Sequence, residues 1–530
     1  MKRNGYLNRA SCDKRRRRSG VALVAVAALM AGCSLQPVYE RPAAPVAAGY
    51  PTGDAYKSPA GASGNAAVPP AVDIGWRDFL TDPRLQRLVE IALANNLDLR
   101  VAALNVAQMQ AQYRIQRSAM FPQVGGFADS SSTRTPASLS STGHAAVTHD
   151  YSVGVSASWE LDFFGRLQSL NDQALQQYFA TAQARKAVQI LLVSQVADQY
   201  LTLLADDELL AVTQRTLETA QASYKLALLQ FQTGTGTELS VRQAETVVEQ
   251  ANANHAAQLR GRAQAENALV LLIGQPLPSD LPALAPLNSQ TLLADIPAGL
   301  PSDLLTRRPD IMQAEATLRG ANANIGAARA AFFPTINLTG NLGTASSALA
   351  GLFKAGSLAW SFLPSITMPI FEAGKLQASL DVATVQKDIN VAQYQKAIQT
   401  AFREVADGLA ARGTWDDEVA SLERFTAAQQ STLDLSELRF RNGVDNYLTV
   451  LTAQTGLYSA QLTLVQARMA RLTNLVDLYR SLGGGWIEHT GDAPPPAEDV
   501  GSIAPPRPAW SPWNVFKTGK HESPAQANSR

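Results

Sequence analysis

Cysteine is nearly missing from these 530 residues: only Cys12 and Cys33 occur, which excludes a disulfide-stapled module. Aromatic residues make up 7% and charged residues 17%, and neither sign of charge is in surplus, with 45 basic against 45 acidic residues. A nucleic-acid binder needs extra basic residues to neutralise phosphate, so that class is set aside. Site chemistry is missing as well. His144, His149, His255, His489 and His521 are scattered, with no metal-ligand spacing. Thr233-Gly234-Thr235-Gly236 lacks the lysine of a phosphate loop. Asp162-Phe163-Phe164-Gly165 has no kinase context and reads as a strand end meeting a helix start. Asp206, Asp207 and Glu208 read as a solvated acidic patch on a helix. The expectation is therefore no catalytic residue, no metal and no cofactor. What is abundant is Ala, Gln, Leu and Val, a composition of long helices.

The first 20 residues hold Lys2, Arg3, Arg9, Lys14 and Arg15 to Arg18 against one acid, Asp13. The apolar stretch Val21 to Met30 follows, about half of the roughly 20 residues that cross a bilayer, so it reads as the core of a secretory signal. Leu29-Met30-Ala31-Gly32-Cys33 resembles a bacterial lipobox, with Met30 where Leu is usual. That pattern makes Cys33 the lipid-attachment residue, with S-diacylglycerol and an N-acyl chain, and several acyl chains anchor stably where one does not. Ser34 in second place favours outer-membrane sorting. An ordinary signal with an incidental cysteine is the alternative. Loss of residues 1–32 removes 8 basic and 1 acidic residue and leaves 37 against 44, so the mature chain is acidic.

Residues 33–75 read as lipid anchor and extended Pro/Ala/Gly tether, and 487–530, rich in proline, as a disordered tail. The body between them is duplicated. Asp98-Leu99 and Ala119-Met120-Phe121-Pro122 recur 212 positions later as Asp310-Ile311 and Ala331-Phe332-Phe333-Pro334. Gly165-Arg166, Phe231, Gly234, Leu239 and Gly274 recur 209 positions later as Gly374-Lys375, Phe440, Gly443, Leu448 and Gly483. The repeats are taken as 76–280 and 281–486. Each is expected to open with a helix, at Asp82-Pro83 and Arg308-Pro309, and to break it at Phe121-Pro122 and Phe333-Pro334.

A strand pair follows in each half. Val153, Val155, Ala157, Trp159 and Leu161 alternate with small polar residues, as do Ile336, Leu338 and Leu342, and then Leu358, Trp360 and Phe362. The remaining strand is placed near Val124 to Thr133. Next, Arg166 to Thr233 and Lys375 to Asn442 each run for 68 residues with no proline, about 100 Å if helical. Returning helices at Thr237 to Ile273 and Asn446 to Leu482 make antiparallel hairpins around Gly234 and Gly443.

Strands with one apolar and one small polar face fit a membrane barrel, and in lipid a sheet must close. Four strands are too few to close alone, so the barrel must be shared between chains. A soluble hairpin is the alternative for the strands. The helices carry Ala, Gln, Ser and Thr where a solid bundle wants Leu and Ile inside, which points to a hollow bundle.

The run Leu304-Leu305-Thr306-Arg307-Arg308-Pro309-Asp310-Ile311, with Ala314-Glu315 and Ile325-Gly326-Ala327-Ala328, resembles the outer-membrane factor family, the TolC-like channels, in its NodT-type lipoprotein branch. The segment Arg439 to Gln454 resembles it too. The resemblance implies an internally duplicated α+β membrane protein. Four strands per chain would join a trimeric 12-strand outer-membrane β-barrel, continued by a long periplasmic α-helical barrel. It further implies a homotrimer that works with a periplasmic adaptor and an inner-membrane pump of the RND type in tripartite efflux, held by outer-membrane lipid. On this basis the periplasmic gate falls on Leu448, Thr449 and Thr452, with Ser240 and Gln243 in the first half. The acidic residue common among relatives at the Thr452 position is replaced here, so a Leu448 collar is expected in place of a charged ring. Gly234, Thr235, Gly236, Gly443, Val444 and Asp445 are the candidate adaptor-contact tips. A passive exit duct for drugs or other small molecules is the leading expectation; an exit duct for secreted proteins and a non-conducting lipid-anchored scaffold are the alternatives.

Overall fold

Two stretches poor in glycine and proline fold as unbroken helices in the computed structural model, which describes residues 35–56, 69–141, 143–293 and 301–492. The expected signal segment, Cys33 and the tail beyond residue 492 lie outside the described residues. The first repeat contains α1 (Trp76–Phe79), α2 (Pro83–Asn95), α3 (Leu97–Ser118), β1 (Gln123–Thr135), β2 (Ala146–Leu161), α4 (Arg166–Gln232) and α5 (Glu238–Ile273). The second contains α6 (Pro301–Arg307), α7 (Pro309–Ala330), β3 (Thr335–Ser346), β4 (Leu358–Thr367), α8 (Lys375–Arg441) and α9 (Tyr447–Ser481). Helices α4 and α8 have 67 residues each, so each extends about 100 Å.

Both expected prolines open a helix, but not equivalent ones. Pro83 begins α2, where the buried Asp82 caps the helix by accepting from the Arg84 amide at 2.7 Å. Pro309 begins α7, whose repeat counterpart α3 starts at Leu97 behind an Asn96 cap. The two caps do the same further job. Asn96 Nδ2 donates to the Leu272 carbonyl at 2.9 Å, and Arg308 Nη1 donates to the Ser481 carbonyl at 2.7 Å. Each therefore ties the start of an opening helix to the end of a returning one.

The core lies where α2, the middle of α4, and the ends of α5 and α9 meet. Phe79 stacks on Tyr479 at 4.1 Å between centroids, and the Tyr479 hydroxyl donates to the Ile74 carbonyl at 2.7 Å. Asp82 accepts from the Tyr200 hydroxyl and from Gln290, both at 2.8 Å. Each fully buried aromatic or aliphatic side chain here stabilises by roughly 1.5–3 kcal/mol. An 18-residue window of α4 is apolar enough to cross a membrane, and 56% of it is buried. Val193, Val196, Leu201 and Leu204 of α4 are buried in this core, which accounts for that apolarity.

The sheet order is β1-β2-β3-β4, every neighbour antiparallel. Val155, Leu342 and Trp360 fall in one row and Leu161, Ile336 and Ile366 in another, so the apolar alternation is continuous across three strands. Most of these side chains are exposed, which suits a face turned to lipid. The other face is polar: Ser156, Asn341 and Ser361 share a row, and Asn341 Nδ2 donates to Ser361 Oγ at 3.1 Å. Strand β1 is longer than its expected span and carries few large side chains on either face.

Residues 35–56 of the expected tether are extended but lie on the helices. Glu315, buried in α7, accepts from Arg41 at 3.0 and 2.9 Å, from Arg319 at 2.7 Å and from the Tyr39 hydroxyl at 3.2 Å. Asn322 Nδ2 donates to the Pro37 carbonyl at 2.7 Å, and Tyr50 stacks on Phe402 of α8 at 5.4 Å. A Cβ at Gly326 would come within 2.9 Å of the Gln36 Cα. The strap belongs to the second half alone, because α3 has Ala103 and Arg114 where α7 has Glu315 and Gly326. At the other end, the expected tail begins inside the fold: Ile487 is buried, and its carbonyl accepts from the Trp76 amide at 3.0 Å.

Candidate functional site

The hairpin tips, at the far end of the molecule from the sheet, are built twice from one plan. Gly234 and Gly443 stand in left-handed conformation, with φ of 77° and 69°, just after α4 and α8. The Thr235 amide then donates to the Gln230 carbonyl and the Val444 amide to the Arg439 carbonyl, both at 2.9 Å, which closes each helix end. The returning helix starts on a side-chain cap: Thr237 accepts from the Ser240 amide and Asn446 from the Thr449 amide, both at 3.2 Å.

The plan is shared; the chemistry is not. In the second tip Arg439 grips Asp445 through two bonds of 2.6 and 2.9 Å, and this guanidinium holds the Asp445 carboxyl below its usual range. In the first tip the same positions are Gln230 and Gly236, and Thr233 and Thr235 bond each other at 3.1 Å instead. The clasp was absent from the sequence reading, although opposite charges six residues apart around Asn442-Gly443 are visible there. One turn into the returning helix of the first tip, Arg242 pairs with Glu245 at 2.8 Å and with Glu238 at 3.5 Å.

Behind the tips a small core joins the two hairpins: Ala227, Val241, Ala244, Leu433, Val450 and Leu451 are all buried. The expected gate residues face away from it. Leu448 is 52% exposed in the single chain, and Leu239, its repeat counterpart, 67%. Thr449 and Thr452 are exposed, while Ser240 and Gln243 are partly covered. Leu448, Thr452 and Thr455 follow one another at helical spacing on one stripe of α9. Thr452 Oγ1 donates to the Leu448 carbonyl at 2.9 Å, so its hydroxyl is turned to its own helix. Above the small core the hairpins part around a cleft of about 470 Å³, lined by Thr213, Thr216, Asp434, Glu437 and Tyr458 among others.

Among the described residues, no group of three or more His, Cys, Asp or Glu could hold a metal ion. Two members of the acidic run are more than a solvated patch. Asp207 accepts from Arg262 at 2.6 Å, and Glu208 lies 3.5 Å from Arg468, so the run pairs with basic residues of two other helices.

The profile of the outer membrane efflux protein family matches residues 88–275 and 300–484, the two repeats. The chain belongs to this family. The antibiotic efflux pump outer membrane protein ArpC of Pseudomonas putida is 48% identical over 478 residues, 90% of this chain and 97% of that protein. The toluene efflux pump outer membrane protein TtgC of Pseudomonas putida shows the same identity and coverage. Among solved structures, the open state of the MtrE outer membrane channel of Neisseria gonorrhoeae superposes with a TM-score of 0.76 at 40% identity, covering 87% of this chain and all of that one. This chain is thus an outer-membrane efflux channel subunit. Its four strands form a third of a trimeric twelve-strand barrel, and its helices continue that barrel through the periplasm.

Proposed function

We propose that this outer membrane efflux protein is the passive exit duct of a tripartite pump for antibiotics, aromatic solvents or other small apolar molecules. Three copies close the barrel, a periplasmic adaptor docks on the hairpin tips, and an RND-type inner-membrane pump supplies the energy. The observation that carries the reading is the sheet: an apolar face continuous across β2, β3 and β4, one polar face, and two edges, β1 and β4, without a strand partner among the described residues. In hydrocarbon such edges leave backbone groups unbonded at several kcal/mol each, so closure by further copies follows. The polar face then lines a water-filled lumen, with no catalysis needed for passage.

The gate in this reading is a collar of Leu448 from each copy, backed by Thr449, Thr452, Ser240 and Gln243. Gly234, Thr235, Gly236, Gly443, Val444 and Asp445 meet the adaptor, and the small first tip allows close approach. Purified trimer is expected to conduct in a planar bilayer. A stable trimer that never conducts, even with Leu448 truncated, would leave only the scaffold alternative.

Lipid anchoring at Cys33 is part of the proposal. The strap supports it, because the Leu35 carbonyl accepts from Arg329 at 3.3 Å, close to where α7 hands over to β3 at Thr335. Cys33→Ala is expected to abolish palmitate labelling of the whole chain; labelling that persists would remove the anchor.

A further inference from the structure

The two strand hairpins keep one register under the internal repeat. Gln123 faces Ser158 in β1 and β2; moving β1 by 212 positions and β2 by 209 gives Thr335 and Thr367, which face each other in β3 and β4. The seam between the halves has its own register, with Leu161 facing Ile336, Trp159 facing Leu338 and Val155 facing Leu342. This seam occurs once inside the chain. In a ring of copies it recurs between β4 of one copy and β1 of the next, and the same offsets then set Ile370 opposite Val124, Met368 opposite Gly126 and Pro364 opposite Ser130.

We propose that the barrel closes in this register, which lengthens β4 from Thr367 to Ile370 on assembly and makes Met368 to Phe371 a docking edge for a second copy of this chain. The proposal rests on the trimeric reading and adds to it which residues meet.

Three observations agree with it. The first is parity of faces: Val124 and Ala128 of β1 lie on the same face as Phe362 and Ile366 of β4, so the register joins lipid face to lipid face. The second is parity of hydrogen bonds. The Ala345 amide donates to the Ser357 carbonyl at 2.9 Å, so odd-numbered residues of β4 bond β3, and even-numbered ones direct their amides to the free edge. Pro364 is even-numbered, so its missing amide leaves no bond unmade within the chain and costs the seam one bond, opposite Ser130. The third is exposure. Met368, Ile370 and Phe371 are 58%, 95% and 87% exposed, whereas Trp159 and Leu161, the repeat counterparts of the first two, are partly covered.

The helices above the rim repeat the same relation. Gly320 of α7 packs against Gln176 of α4 inside the chain. The matching residues are Gln108 of α3 and Val385 of α8, which the same relation sets against each other across the seam between copies. Val101 and Leu104 of α3 and Val382 and Val385 of α8 are exposed on the single chain.

The test is cysteine pairing in isolated outer membranes. Directly opposed strand residues lie about 5.5 Å apart at Cα, within disulfide reach. The alternative in which β4 ends at Thr367 sets Ile366 opposite Val124, a four-residue slip of about 13 Å. Val124→Cys with Ile370→Cys is expected to shift most of the chain into covalent dimer and trimer bands on oxidation. Val124→Cys with Ile366→Cys, and each single substitution, should leave it at the monomer position. Hydrogen exchange on the unsubstituted trimer should find the Met368 and Ile370 amides protected. Linking of the slipped pair, linking of neither pair in a preparation that still runs as a trimer, or fast exchange at both amides overturns the register. A preparation without any trimer overturns the trimeric reading and the register with it.

Discussion

Arg308→Ala is expected to destabilise the assembled channel by about 2–3 kcal/mol per chain. Arg308 is buried and makes three kinds of bond. It holds Asp310 through bonds of 3.0 and 2.6 Å, reaches Glu404 of α8 at 2.9 Å, and donates to the Ser481 carbonyl at the end of α9. Removal of one partner of a buried ion pair costs about 3–5 kcal/mol; the loss here falls at or below the bottom of that range because Asp310 and Glu404 retain access to water. The Ser481 carbonyl would also lose its donor near a helix C-terminus, where positive charge is favourable. Lysine carries the charge but cannot fork onto Asp310 while reaching two other acceptors, so Arg308→Lys should recover only part of the loss. The measurement is the temperature at which the trimer band gives way to monomer. A substitution to alanine that leaves this temperature within a degree or so of the parent would show that the Arg-Pro-Asp run is not a structural tie.

This tie also shows how legible the sequence was. The offsets of 212 and 209 revealed the duplication, and they transfer to the structure at single-residue precision, as Asn96 with Leu272 and Arg308 with Ser481 demonstrate. Reading Asp82-Pro83 and Arg308-Pro309 as equivalent failed because proline at a first helical turn marks a helix start, not which helix starts. Strand β1 was placed only roughly because its lipid-facing positions include Gly126, Ser130 and Ser132, which break the apolar alternation. The strap was read as a free tether because its docking depends on isolated long-range partners, Tyr39 and Arg41 on Glu315, and these have no period. The long helices were legible almost to the residue, since glycine bounds both ends and the spans between hold no proline and, of glycines, only Gly408 and Gly413. At the tips the turn glycines and caps were visible, whereas the Arg439 to Asp445 clasp needed the geometry of the turn to bring its ends together.

Leu448→Ala is expected to raise single-channel conductance several-fold and to sensitise cells to antibiotics that the outer membrane normally excludes. The stability effect should be small, within about 0.5 kcal/mol, because Leu448 is half exposed and lies outside the small core behind the tips. That separation decides between gate and packing. Val450, two residues on, is buried in that core, so Val450→Ala should loosen the tip and lower its stability by roughly 1 kcal/mol or more. Leu239 presents a second exposed leucine at the matching place in the first half, and its truncation together with Leu448 should widen the opening further than either change alone. An apolar collar resists ions by excluding water rather than by charge, so the effect of Leu448→Ala should depend little on ionic strength once bulk conductivity is divided out. Conductance unchanged in Leu448→Ala, with the trimer intact, would remove Leu448 from the gate.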